Sequence, residues 1–495
     1  MCRLHAIVAA LLAAALLITS ERAAARTAPM QAGRQGQGAP AATGKSLNAS
    51  TIDLTLSDAI YLGLRENRAI RSAYLDRVAQ KFDLRVAEDR FTPKLTLRGS
   101  YLSLRNQADP YRQGTLAPTA SLQTPYGSRV SLGWNYSHMR ASEGGLSRND
   151  GANIAVIQPL LRGAGKDIAM APVRLARLNE LINRLNLKLI VAQTITQVVV
   201  SYRALLQAQG QLAIAQESLE RARQLVDVNR AMIAAGRMAE FEIVQTEAEV
   251  ATQELAYEDT RNQVESARLA LLQLLTLNLN TPIVATEALQ AQRLDVNAVE
   301  ALRQAEASQP AYLTQIIASE QATVNLAVAR NDRLWNVSLV GGASQARERS
   351  ALSGASRNWE NYVGLQVEIP IGDLSTRQTE VQAEVNVRGQ ELQLAEARQQ
   401  LERDVVNAVR DIGTRWRQYE ISQRARDLSR RKLEIEREKL TVGRSSNFQV
   451  LSFENDLRNA ENARLNALVS YLNAQAELDQ KLGTTLQSWD IVLND

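Results

Sequence analysis

The stretch Val130-Ser131-Leu132-Gly133-Trp134-Asn135-Tyr136 alternates large apolar side chains with small or polar ones without a break. Successive side chains of a strand point to opposite faces, so this pattern predicts a strand with one oily face and one wet face. Two other stretches share it. Leu95, Leu97 and Tyr101 alternate with Thr96, Arg98 and Ser100, and Val363, Leu365, Val367 and Ile369 alternate with Gly364, Gln366 and Glu368. A membrane-spanning barrel strand has this pattern over about 10 residues. A half-buried strand of a soluble sheet has it too, so the surrounding sequence has to separate the two.

Those surroundings are helical. The spacing of apolar residues predicts an amphipathic stretch from Leu54 to Phe91, stopped by Pro93, then strands over 94–159. A long helix is expected over 168–235, a break at Gly236-Arg237, and a shorter helix over 240–275. The second half repeats the order: a helix over 299–332, strands over 335–370, a long helix over 374–442, a break at Gly443-Arg444 and a helix over 447–482. Val198, Leu205, Leu212, Leu219 and Val226 recur every seven residues with Ala208, Ala215 and Ala222 beside them, a coiled-coil seam that lets helices approach closely. At 1.5 Å per residue each long helix reaches about 100 Å. The shorter helices are about half that, so two stacked end to end match one long one.

The duplication is residue by residue. Ala59, Leu84, Ala87, Leu97 and Gly99 match Ala301, Leu326, Ala329, Leu339 and Gly341 at a constant offset of 242. Val198, Val199, Gly236, Phe241, Glu247 and Leu275 match Val405, Val406, Gly443, Phe448, Glu454 and Leu482 at an offset of 207. A constant offset that also aligns both Gly-Arg breaks marks an internal repeat, over 54–298 and 299–495. The fall in offset places extra residues of the first half in its strand region and the segment just after it. There Ala117–Gln123 has the character of a further short strand, and Thr124-Pro125-Tyr126-Gly127 has turn chemistry. We expect two strands per half, four per chain, with 109–127 forming an enlarged outer loop, and leave open whether Ala117–Gln123 adds a barrel strand.

The context favours a membrane barrel. The helices beside the strands are committed to one another, and polar, Gly- and Ser-rich segments at 140–151 and 344–358 stand where outer loops would be. Four strands cannot close a barrel, and lipid does not tolerate an open sheet edge. Several chains must share one barrel.

Residues 1–25 read as a secretory signal: Arg3 supplies positive charge, Ala6 to Ile18 an apolar run, and Ala23 to Ala25 a small-residue cleavage site. That run is shorter than the roughly 20 residues a spanning helix needs, and no later segment reads as apolar enough to span either. Residues 26–53 read as a flexible Ala/Gly/Gln/Pro leader. Cleavage would remove Arg3, Arg22 and Glu21, lowering the formal net charge from +4 to +3. So small an excess, spread along the chain, is no nucleic-acid footprint. Cys2, the single cysteine, leaves with the signal, which excludes a disulfide or thiol nucleophile from the mature chain. His138 is the one histidine outside the signal and cannot build a multi-histidine metal site. Gly163-Ala164-Gly165-Lys166 lacks the first glycine of a phosphate loop, with Leu160 in its place, and Asp167 stands where a Ser or Thr would bind Mg²⁺. A strand-to-helix turn explains those glycines. No catalytic, cofactor or metal site is expected.

The order helix, strands, long helix, Gly-containing tip, helix, given twice behind a signal, resembles the TolC-like outer-membrane efflux family. Local signatures over Leu54 to Leu482 are similar to that family: Leu56-Ser57-Asp58-Ala59-Ile60 with Asn67, Gln158-Pro159-Leu160-Leu161-Arg162-Gly163, and Val442-Gly443-Arg444 leading to Val450-Leu451. The resemblance implies an α+β fold in which a long antiparallel α-helical coiled-coil tunnel joins a transmembrane β-barrel shared between protomers. It implies a homotrimer with a twelve-stranded barrel in the outer membrane of a Gram-negative bacterium and a large periplasmic part. It further implies a passive duct of a tripartite efflux or type I secretion system, served by a periplasmic adaptor and an inner-membrane pump of the RND, ABC or MFS type. A periplasmic coiled-coil adaptor or scaffold is the rival reading.

In that frame Gly236, Arg237, Gly443 and Arg444 are expected to be adaptor-docking tips. Val130, Leu132, Trp134 and Tyr136 are expected to face lipid, with Ser131 and Asn135 toward the lumen. The family's gate carries two carboxylates per chain after the second tip. Aligned on Val442-Gly443, those positions hold Gln449 and Ser452, while the first repeat offers Glu242, so a gate poor in carboxylates is expected.

Overall fold

The computed structural model describes residues 51–105, 110–142, 145–350 and 354–493. The expected signal at 1–25 and leader residues 26–50 lie outside the described residues. The first repeat contains α1 (Leu56–Glu66), α2 (Arg68–Glu88), α3 (Ala171–Ala234) and α4 (Glu242–Leu274). The second contains α5 (Ala298–Ser308), α6 (Pro310–Asp332), α7 (Ser375–Thr441) and α8 (Asn447–Leu482). Strands β2 (Lys94–Leu104), β3 (Tyr111–Gln123), β4 (Arg129–Ala141) and β5 (Gly145–Pro159) follow α2, and β7 (Asn336–Ser350) and β8 (Gly354–Glu368) follow α6. A short parallel pair, β1 (Ile52–Leu54) with β6 (Ile283–Ala285), ties the start of the first repeat to its end.

Each helix expected before the strands is broken into two. Asn67 ends α1 and caps α2, its side chain accepting from the amides of Ala69 and Ile70. Gln309, at the same repeat position, accepts from the Tyr312 amide while Pro310 opens α6. A side-chain acceptor satisfies amides that a new helix start leaves free, and proline loses nothing there. α3 also corrects the expectation that no later segment is apolar enough to span a membrane. An 18-residue window of it has a mean hydropathy of 1.4, but 56% of that window is buried against neighbouring helices. It is a core helix.

The larger correction concerns the strands. One six-stranded sheet runs β2-β3-β4-β5-β7-β8, antiparallel throughout. Ala117–Gln123 is the end of β3, paired to both β2 and β4. The described part of 109–127 is therefore strand and turn rather than an outer loop, and among the described residues this sheet has six strands rather than four. The offsets locate the addition. β2 matches β7 at 242 residues, whereas the helices after the strands match at 207, so the 35 extra residues are essentially the hairpin β3–β4. A hairpin adds two antiparallel strands, so the flanking strands keep their direction.

Helix neighbours are ordered too. Beside the sheet, α6 lies between α3 and α7, while α2 packs on α3. Farther along, α8 lies between α3 and α7, while α4 packs on α3. The largest apolar cluster joins α1, α3 and the end of α4 through Ile60, Ile195, Val198, Tyr202, Leu271 and Leu275. The Tyr202 hydroxyl donates to the Leu54 carbonyl at 2.8 Å, which supplies the polar partner a buried tyrosine needs. A second cluster does the same for α5, α7 and α8 around Val405, Ile412, Leu468 and Tyr471.

Candidate functional site

The sheet has one apolar face and one polar face, and register shows both to be continuous. Leu95, Ala120, Leu132, Ile154 and Ala343 lie opposite one another in a row across five strands. The adjacent row on that face is Leu122, Val130, Val156, Gly341 and Val363. The expected set Val130, Leu132, Trp134 and Tyr136 sits on this face, the last two stacked with ring centroids 6.1 Å apart. No helix covers it: Leu97, Leu132, Ile154, Val363 and Leu365 are all exposed. The opposite face carries the row Ser100, Thr115, Ser137, Asn149 and Glu348, together with Ser131 and Asn135. There the Ser100 and Thr115 hydroxyls bond at 2.5 Å.

The apolar face has limits along the strands. Tyr136 aligns with Asp150, Arg347 and Arg357, so charge begins there. Along β8 this face carries Trp359, Asn361, Val363, Leu365 and Val367, and Ile369 follows just past its end. Ten residue steps at ~3.3 Å with a tilt of ~40° give a band about 25 Å tall. Trp134, Tyr136 and Trp359 mark one border, and exposed Tyr126 and Trp335 lie toward the other.

At the far end of the long helices both glycines adopt the left-handed conformation, Gly236 at φ +67° and Gly443 at φ +74°. The Arg237 amide donates to the Met232 carbonyl at 2.9 Å and the Arg444 amide to the Lys439 carbonyl at 2.8 Å. These are matching C-terminal caps, in which glycine avoids the steric cost a Cβ would bring. The two tips touch, because the Arg237 guanidinium donates to the Thr441 carbonyl at 3.1 Å. Arg237 and Arg444 are both exposed.

Just above the tips lies a buried polar cluster that sequence reasoning missed. Asn229 on α3 donates to Thr246 Oγ1 on α4 at 2.7 Å and to Asn447 Oδ1 on α8 at 2.9 Å. Asn447 Nδ2 donates to the same Thr246 hydroxyl at 2.8 Å. All three are essentially fully buried. The available signal was Asn229 standing three residues after Val226 on an otherwise apolar seam, where a polar residue costs stability and fixes register.

The gate candidates do not converge on one point. Glu242 opens α4, and its carbonyl accepts from Asn447 Nδ2 at 3.3 Å. Gln449 lies in the first turn of α8, its amide capped by the Ser446 hydroxyl. Ser452 lies in a groove between α4 and α8 that also holds Gln245, Glu249, Thr252, Asn455 and Asp456. Glu249 and Asp456 are carboxylates that alignment on the tip did not find. Gly163 at φ +80° and Gly165 at φ +91° form the turn from β5 toward α3, consistent with the strand-to-helix reading.

Residues 301–484 match the outer membrane efflux protein family. No curated protein matches the chain in sequence. Among solved structures the fold is similar to CusC, with a TM-score of 0.66 at 18% identity over 92% of this chain and 99% of that one. It is similar to the outer membrane protein VceC of Vibrio cholerae, at 0.66 and 15% over 86% and 96%. The CmeC outer membrane channel of Campylobacter jejuni aligns at 0.65 and 17% over 92% and 94%.

Proposed function

We infer that this chain, whose residues 301–484 match the outer membrane efflux protein family, works as a passive homotrimeric duct fed by an inner-membrane pump through a periplasmic adaptor. Solved structures with this fold include the outer membrane protein VceC and the CmeC outer membrane channel, which supports a channel rather than an enzyme. The observation that carries the reading is the six-stranded sheet itself: its apolar face is about as tall as a hydrocarbon core, continuous and uncovered, and it is followed by two helices of 64 and 67 residues. Lipid is the one solvent that favours such a face. A polar inner face and a helical wall of about 100 Å suit a water-filled conduit through the periplasm.

Within that conduit Gly236, Arg237, Gly443 and Arg444 form the end that meets the adaptor, and the Asn229–Thr246–Asn447 cluster holds the two tip-proximal helices against α3. The groove containing Ser452, Glu249 and Asp456 faces the aperture. The cargo is set by the pump, and both efflux and type I secretion suit this wall. The test is fractionation of cells making the protein. A heat-modifiable trimer in the outer membrane, with loss of export when the gene is deleted, supports the duct. A soluble periplasmic protein refutes it and favours an adaptor or scaffold.

A further inference from the structure

Equivalent faces of the two repeats are not equally covered. On α6, Ile317, Val324 and Val328 pack on Leu175 and Leu178 of α3. Their counterparts 242 residues earlier on α2 are Leu75, Phe82 and Val86, which are 73%, 62% and 54% exposed. The counterpart of Leu178 on α7 is Val385, itself 58% exposed. An apolar stripe and the position it should pack against are therefore both bare, at opposite ends of the helix order.

The lower helices show the same vacancy with charge. Where α3 meets α8, Arg203 donates to the Leu472 carbonyl, and Gly210 lets Leu465 approach closely. Shifted by 207, these positions become Arg410 and Arg417 on α7, and Glu265 and Glu258 on α4. Arg410 and Arg417 belong to a stripe of arginines with Arg403, Arg424 and Arg431 at every seventh residue. Among the described residues Arg410, Arg417, Arg424 and Arg431 have no carboxylate partner, and Glu258 and Glu265 pair only with arginines three residues on in their own helix. The two contacts of the existing interface thus become two opposite-charge pairs in the missing one.

The sheet ends in the same order. β2, which follows α2, and β8, which precedes α7, are its two edges, each paired on one side only. Building on the duct reading above, we propose that copies of this chain join along one seam, α7 and β8 of one against α2, α4 and β2 of the next. Three copies so joined close an eighteen-strand barrel. β2 and β8 run antiparallel within the sheet, so the closing pair continues its pattern. Widths agree as well. Six strands ~4.8 Å apart at a tilt of ~40° occupy about 38 Å of circumference, whereas four would occupy about 25 Å. The four helices abreast in each copy, at 8–10 Å spacing, occupy about 32–40 Å. The inserted hairpin β3–β4 brings the sheet to the width of the helical wall, and its apolar face is in phase with its neighbours. The outer-membrane pore is then about 36 Å across between strand axes, against about 24 Å for twelve strands.

The test uses the full chain in outer membranes. The pairs Phe82→Cys with Val385→Cys and Arg417→Cys with Glu258→Cys should each give covalent trimers under oxidation that reductant dissolves. Arg417→Glu should reduce trimer yield several-fold, and adding Glu258→Arg should restore it. Electron cryomicroscopy of the unmodified oligomer should count eighteen strands in section. Native trimers that form neither cross-link, or that are not rescued by the charge swap, overturn the seam. Twelve strands overturn the barrel. An unmodified protein that is monomeric in the membrane overturns the duct reading itself, a different result from either.

Discussion

Glu454 on α8 is the repeat of Glu247 on α4: each takes a salt bridge from an arginine 17 residues earlier, Arg437 and Arg230 respectively. Seven residues along, Arg430–Glu461 repeats Arg223–Glu254. The duplication has preserved these contacts while their surroundings have diverged. Glu454 is 8% exposed and takes a second bond from Arg221 at 2.9 Å, whereas Glu247 is 51% exposed.

The same substitution should therefore have unequal effects at the two sites. Glu454→Ala leaves Arg221 and Arg437 beside one another without their shared carboxylate, at a cost of roughly 3 kcal/mol. Glu247→Ala removes an exposed pair and should change little. Thermal dissociation of the assembled protein measures both, and equal shifts would contradict the difference in burial.

Asn447→Ala should loosen the tip. It leaves Asn229 and Thr246 bonded only to each other in a buried site, costing about 1–3 kcal/mol, and loosens the start of α8 from α3. The expected outcome in planar bilayers is a higher open probability with unchanged barrel assembly. An unaltered conductance trace would show that this cluster does not restrain the aperture.

Charge in the groove between α4 and α8 is the next test. The neutral pair Gln449 and Ser452 predicts weak block by trivalent cations, but Glu249 and Asp456 share the groove with Ser452. Asp456 pairs with Lys432 at 3.0 Å, so Glu249 supplies the larger share of uncompensated negative charge, which concentrates cations. Glu249→Gln with Asp456→Asn should lower cation selectivity and any trivalent block from the periplasmic side. Identical selectivity in the double variant would place these carboxylates away from the ion path.

Facing on β4 can be read by assembly. Leu132→Arg puts a charge on the apolar face near mid-membrane, at about 2–4 kcal/mol, while Asn135→Arg enters the polar face and should be mild. Equal trimer yields would reverse the assignment.

Arg444→Asp should abolish export and leave trimers in the membrane. Arg237→Asp should do the same and also open the tip contact, because Arg237 bonds the Thr441 carbonyl. Export assays beside native gels separate the two effects, and normal export by the double variant would remove both arginines from docking.

Much of this fold was legible before any coordinates. The heptads of α3, the Gly-Arg breaks, the period-2 strands and the offsets of 242 and 207 are local or periodic properties, set by side-chain direction and backbone sterics within a few residues. They sufficed for the repeat, the two long helices and the oily face of β4. What they could not decide depended on distant partners. Ala117–Gln123 has strand character by itself, but whether it joins the sheet or stays in a loop depends on pairing to β2 and β4, and that pairing gives a six-stranded sheet. Alignment on the second tip points to Gln449 and Ser452, whereas the groove that holds Ser452 draws Gln245, Ala248, Glu249 and Thr252 from α4. Asn229, Thr246 and Asn447 are unremarkable polar residues until helix packing buries them together, because a hydrogen bond's importance rests on the exclusion of water, which only the assembled tertiary structure provides.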